Sequence, residues 1–401
     1  MVKYKQKYYL YTVFTQMKFT RIINILFIVG TLKFSLVQFT LLESVFMFTQ
    51  FFSEIPSGIL SDLFKNKITV MFGLLSLSLT PLLTIFAFSC PKSIVFSVLI
   101  LSFALEGVGN ALISGADSAL FYEGIRKDGD EEKYGQIRGN MQLISSITIG
   151  LATAIGGYLF MVNNKIPYIM QSIFLIIAMI IIFFTNEQKV NKSSQINESN
   201  TLFKRFKSIM MVFRNMLHSS NVFFLFIFTV VITSVINTIF MILPNYISEL
   251  GFDASANSSI LMVYGFVGGL IATQAYRFVK MKYLSLSIFI SILLLLATVL
   301  ELQGNKYIFV IGAGLLYIVL DILDPIVMQM LNLWVGDNSR ATFISGLSFS
   351  ISLITMIINP LIGIVVQKYG TVNMIVLTSI ITIFMIGLSY LLILKTNRYN
   401  Y

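Results

Sequence analysis

Eight ionisable side chains stand in otherwise apolar stretches, and through them this chain could do chemistry: Lys18, Arg21, Glu43, Glu54, Glu106, Asp117, Asp321 and Asp324. An ionised group at the centre of a bilayer costs about 2.5–3.5 kcal/mol on insertion scales, so each needs a reason to be there. Lys18 and Arg21 lie three residues apart and share one helical face, as do Asp321 and Asp324, with Tyr317 one turn before them. Eleven residues separate Glu106 from Asp117, which is three helical turns, so the two are expected along one stripe with Asn110 between them. Thr233, Asn237 and Met241 make a milder stripe. Paired structural ions, Lys18 or Arg21 against Glu106, would explain some of these groups. They cannot explain all, because Glu106, Asp117, Asp321 and Asp324 face only two cations. A carboxylate sheltered from bulk water either exchanges protons near neutrality or stays charged and binds a cation. Glu106 and Asp321 are the favoured pair for such work, and Asp324 is next.

The elements that carry these residues follow from composition. Of 401 residues, 56% are hydrophobic and 11% charged, against roughly a quarter charged in a soluble domain. Mean hydropathy is +0.85. So much apolar surface needs lipid outside as well as a core inside. The pattern predicts an all-α membrane protein with twelve transmembrane helices, near 8–30, 36–62, 67–89, 93–122, 137–162, 165–185, 220–247, 256–277, 281–301, 306–331, 341–367 and 371–394. Nothing alternates at period two, which argues against a membrane β-barrel. Spans one, four, seven and ten each carry a polar stripe, and spans three, six, nine and twelve are nearly bare of charge. That rhythm predicts an interior lined by the first group and a lipid-facing shell made by the last. Pro56, Pro325 and Pro360 are expected to bend their helices.

The long break after six spans divides the chain into an N-terminal half (1–185), a linker (186–219) and a C-terminal half (220–401). In the linker Phe203, Phe206, Phe213 and Leu217 fall at helical spacing among Lys204, Arg205, Lys207 and Arg214, which predicts an amphipathic helix on the membrane surface. With both termini cytoplasmic, that side collects 21 Lys and Arg and the other side 5. The positive-inside rule then sets the orientation. The net charge of +10 becomes a topology device, and nucleic acid is not expected as a partner. Cys90 and His218 are the only residues of their types, which excludes a Cys/His metal cluster. No Walker A loop, HExxH or GxSxG is present, so neither a cofactor nor an enzymatic activity is expected. The first apolar stretch, holding Lys18 and Arg21, lacks the features of a cleavable signal peptide.

At Glu54-Ile-Pro-Ser-Gly58-Ile-Leu-Ser-Asp62, followed by Lys65 and Lys67, the sequence resembles the loop between the second and third helices of the major facilitator superfamily. That loop reads G-x-L-A-D-R-x-G-R-R/K. Gly58, Leu60, Asp62 and Lys67 match it, while Leu63, Lys65 and Asn66 depart from it. The Glu54-Ile-Pro opening, Ser114 to Tyr122 and Arg340 to Ser345 resemble a bacterial subgroup, often described as drug or macrolide-type efflux proteins, that writes E-I-P-T-G here. The resemblance implies a six-plus-six fold with helices one, four, seven and ten around a central cavity. It also implies that Glu54, Gly58, Asp62 and Lys67 belong to a cytoplasmic gate with Arg340, and Arg138 opens span five as Arg340 opens span eleven.

Together these readings predict a bacterial multi-pass plasma-membrane transporter, for which a monomer is sufficient. It would export a small amphipathic or cationic compound with the proton as coupling ion. The alternatives on the same fold are uptake or facilitated diffusion of a metabolite or organic anion, with Lys18 and Arg21 as anchors, and lipid flipping.

Overall fold

The computed structural model describes residues 3–63, 65–187, 220–272, 274, 281, 283–334 and 337–398. The expected amphipathic helix at 203–217 lies outside them. The apolar runs fold into helices α3 (Leu36–Leu63), α4 (Asn66–Phe88), α5 (Lys92–Ile113), α7 (Tyr134–Val162) and α8 (Ile166–Phe183) in the N-terminal part. They continue as α9 (Ser220–Glu249), α10 (Ala254–Ala272), α11 (Tyr283–Glu301), α12 (Lys306–Trp334), α13 (Asp337–Tyr369) and α14 (Thr371–Arg398). Eleven helices among the described residues are long and apolar enough to cross a membrane; one of them runs from α5 into a short helix, α6 (Ala116–Lys127). Among the described residues there is no β-strand.

Two expected spans are not continuous. Span one is a helix α1 (Tyr4–Gln16), a non-helical stretch over 17–22, and a three-residue turn α2 (Ile23–Ile25) that widens into a π-helix at Leu26–Thr31. Irregular backbone in a membrane protein persists only where its polar groups find partners. Here Gln171 Oε1 accepts from both the Thr20 amide (3.0 Å) and the Thr20 hydroxyl (2.8 Å). The Phe19 carbonyl lies on Gly156, where a Cβ would overlap it. Span four turns at Ser114-Gly115, and Gly115 adopts φ +81°, a left-handed conformation that glycine enters without steric cost.

The chain forms two compact units: residues Met1–Gln195 with Gly251–Met262, and the remainder. The sequence pattern places the boundary at the linker alone. The start of α10 belongs to the first unit because Gly157 has no side chain, so Ala254 and Ser258 pack directly on α7.

Within lipid, helices gain little from apolar burial against one another, so close packing and interhelical hydrogen bonds must hold them. In the first unit Gly107 lets α5 meet the α3 backbone, where a Cβ would stand 2.7 Å from the Gln50 nitrogen. Gly73 and Gly109 face each other across α4 and α5. Pro81 deprives the Leu77 carbonyl of its amide partner, and the Thr80 hydroxyl donates to that oxygen instead (3.0 Å). Ser102 donates to the Thr80 carbonyl (2.9 Å) and Ser172 to the Ser78 carbonyl (2.6 Å), joining α4 to α5 and α8. In the second unit Thr238 of α9 donates to Asn359 Oδ1 of α13 (2.8 Å).

The expected lipid-facing shell needs correction. In α8, Ile169, Ile173, Ile176 and Ile180 are exposed, but Tyr168, Ser172, Leu175, Ala178 and Ile182 are buried. In α11, Leu284, Ile288, Ile292 and Leu295 are exposed, while Leu286, Ile290, Leu294, Ala297 and Glu301 form a buried seam. Spans six and nine thus face lipid on one side only, and their other side contributes polar groups to the interior.

Candidate functional site

The break in span one decides where Lys18 and Arg21 go. Lys18 lies in the electrostatic field of both Arg21 and Glu106 of α5, and Glu106 shares its field with Glu43 of α3. Tyr168 of α8 also lies close to the Glu106 charge, and its hydroxyl is buried without a hydrogen-bond partner. Glu43 and Glu106 are half-buried, and Lys18 is exposed. Arg21 is exposed.

The arrangement is not a set of closed salt bridges. The ion pairs among the described residues are Lys5–Asp130, Arg126–Glu131 and Lys133–Asp130, none of which involves these four side chains. Two cations and two carboxylates therefore influence one another without being locked together. Such a cluster can exchange a proton or a charged passenger without first breaking a short ion pair. Asn110, expected beside Glu106, donates its amide to the Glu106 backbone carbonyl (2.8 Å).

Asp117 does not line the same stripe as Glu106. The turn at Gly115 ends α5, so Asp117 sits in the first turn of α6, where its carboxylate accepts from the Ser118 amide. An acid there also meets the positive end of the helix dipole. Its neighbours are Tyr8 and Tyr11 of α1 and Arg138 of α7. The Arg138 guanidinium donates to the Tyr8 hydroxyl and to Ser118 Oγ, both at 3.3 Å. Tyr8 stacks on Phe121 with ring centroids 4.2 Å apart. This second cluster ties α1, α6 and α7 together.

Of the residues assigned to a gate, Glu54 is exposed on α3. Lys67 donates to the Phe183 carbonyl at the end of α8 (2.5 Å) and lies over the Phe183 ring. Beside it, Glu187 accepts from the Asn66 and Lys67 amides (2.8 and 2.9 Å), satisfying the N-terminus of α4 with a carboxylate. Gly58, Asp62, Asp324 and Arg340 lie on helices but outside the residues whose side chains are described.

In the second unit Asn237 is exposed on α9. Tyr317 of α12 packs between Phe240 of α9 and Tyr264 of α10, with ring centroids 4.7 and 5.9 Å away. Asp321, one turn on, has its carboxylate against Gly268 of α10, a position that any side chain would fill. Sequence reading misses Tyr168, Gln171 and Glu301. Each falls in register with a buried helical seam, which is the available signal.

Long apolar helices that expose aliphatic side chains and keep Glu43, Glu106, Asp117 and Glu301 at least partly buried define a polytopic helical membrane protein. Residues 9–300 match the Major Facilitator Superfamily, and the chain belongs to that superfamily of membrane transporters. It is 22% identical over 358 residues to the uncharacterized MFS-type transporter YxaM of Bacillus subtilis (strain 168), across 86% of this chain and 85% of that protein. Among solved structures it is similar to a mutant form of the nucleoside transporter NupG, with TM-score 0.77 and 12% identity over 97% of this chain and 98% of that one. A bacterial homologue of the iron transporter ferroportin, in its inward-facing state, is similar at TM-score 0.67 and 14% identity over 98% of each chain. At such identities these structures speak for the fold alone.

Proposed function

We propose that this protein is a secondary active transporter that exports a small amphipathic or cationic compound across a bacterial plasma membrane in exchange for protons, by alternating access. The observation that carries this reading is the Lys18–Glu106–Glu43 cluster, in which a carboxylate shares its field with a second carboxylate and with a lysine, none of them closed into an ion pair. Two like charges in a poorly hydrated site favour holding one proton between them. An arriving cation takes the place of that proton, and protonation from the other side drives the cation off. Asp321 is the corresponding acid of the second unit. Both termini on the cytoplasmic side and a monomeric protein complete the proposal.

The test is a substrate screen in a strain lacking other exporters, with and without a protonophore, followed by flux in inverted vesicles. Glu106→Gln and Asp321→Asn should each abolish proton-coupled flux; normal coupling in both variants would overturn the assignment. One feature favours a second reading, uptake of an organic anion: Lys18 and Arg21 are both exposed at the break in span one. Inward flux of an anion, lost in Lys18→Met, would select that reading.

A further inference from the structure

Glu301 is the last residue of α11, 2% exposed, and both of its carboxylate oxygens lack a hydrogen-bond partner. No described lysine, arginine or histidine lies within ion-pair distance of it. It is held in place from several sides. Gly312 brings α12 onto it, so that a Cβ there would lie 2.9 Å from Glu301 Cγ and 2.9 Å from the Ala297 carbonyl. Tyr264 of α10 packs on Gly314 of the same helix and donates its hydroxyl to the Val310 carbonyl. Tyr246 of α9 meets Phe309 at the start of α12 (4.8 Å between ring centroids).

The titratable groups in its field are Tyr246 and Tyr264, and Tyr246 also feels Glu249 of its own helix. Glu249 accepts from Asn245 (2.7 Å). Lys306 and Tyr307 open α12, with the Lys306 ammonium over the Tyr307 ring. Farther along α12 are Tyr317 and Asp321. The other helix packed on α11, α14, carries no titratable residue from Thr371 to Ser389. No positive charge among the described residues is close enough to pair with an ionised carboxylate here, and an isolated buried carboxylate takes up a proton rather than stay charged. Residues 302–305, directly after it, are all exposed, so water lies within one turn of chain.

We propose that Glu301 is a proton-binding site of the second unit: buried, it holds a proton, and it exchanges that proton with water through the adjoining 302–305 turn. The site belongs to the second unit and does not depend on the exported compound or on its direction of movement. Tyr264 gives its own hydroxyl proton to Val310, and neither Glu301 carboxylate oxygen has a hydrogen-bond partner, so no described group accepts the bound proton. Glu301 therefore holds its proton because the anion is costly, and hydration is what releases it.

Infrared spectroscopy of the full chain in liposomes, recorded across a pH series in light and heavy water, tests this directly. The neutral-pH spectrum should contain a protonated-carboxyl C=O band that shifts in heavy water, vanishes as pH rises, and is missing in Glu301→Gln. A wild-type spectrum identical to that of Glu301→Gln would overturn the site, as would a band that neither exchanges nor titrates. If Glu301→Gln does not fold, Glu301→Asp decides: a displaced band supports the proposal and an unmoved one overturns it. Failure here leaves coupled export through Glu106 standing, and loss of that reading leaves the Glu301 band unaffected.

Discussion

In the first unit Lys18, Arg21, Glu43 and Glu106 lie in a chain of overlapping fields, two cations against two acids. In the second, Glu301 is buried with no described cation within ion-pair distance, and no lysine or arginine occurs between Ser220 and Tyr276, or between Tyr283 and Asn305. The difference teaches how a membrane protein accommodates a carboxylate. Where opposite charges are near, the acid can stay ionised and respond to whatever enters. Where none is near, as proposed for Glu301, burial favours the neutral group. Counting acids along the sequence merges these cases, because it assigns Asp117 to the Glu106 stripe although Arg138 is its neighbour.

The comparison can be broken in order of effect. Glu106→Gln should lower proton-coupled flux by roughly a hundredfold or more, the scale on which positioned proton-transfer groups act; vesicle flux with and without a pH gradient measures it. Next, Lys18→Met leaves two carboxylates facing only Arg21. It should lower stability by about 1–3 kcal/mol, less than the roughly 3–5 kcal/mol typical of a fully buried broken pair, because the cluster keeps some open surface. Glu301→Gln should instead leave the melting temperature in detergent unchanged or raise it. Equal losses in the two variants would erase the distinction between the units. A smaller effect, about 1 kcal/mol, is expected from Gly115→Ala, which forces a side chain into φ +81°. A Cβ there meets open space, so thermal unfolding of this variant tests backbone conformation alone. The smallest, roughly 1 kcal/mol or less, is expected for Glu187→Ala, which removes the acceptor from the first amides of α4; hydrogen exchange at Asn66 and Lys67 would report it.

Much of this is legible in the sequence. Run length and all-round apolarity mark the spans, and Glu54-Ile-Pro-Ser-Gly58 carries the family resemblance. The spacing argument for Lys18 and Arg21 assumes an unbroken helix. The break over 17–22 is set instead by Gln171, 151 residues from Thr20, and by Gly156, and no local propensity reports such partners. Asp117 is misplaced because a turn of two residues at Ser114-Gly115 rotates everything after it. Glu301 is passed over because it ends its span, where a charged residue reads as solvated. Its register with Leu286, Ile290, Leu294 and Ala297 points inward all the same.

Gln171 has a consequence for how the protein is made. The amide and hydroxyl of Thr20 are satisfied by a side chain on the last span of the first unit's N-terminal stretch, so a nascent chain that has not yet reached α8 cannot settle its opening segment. Residues 17–22 thus find their final seat only after α8 and the intervening crossings have been laid down.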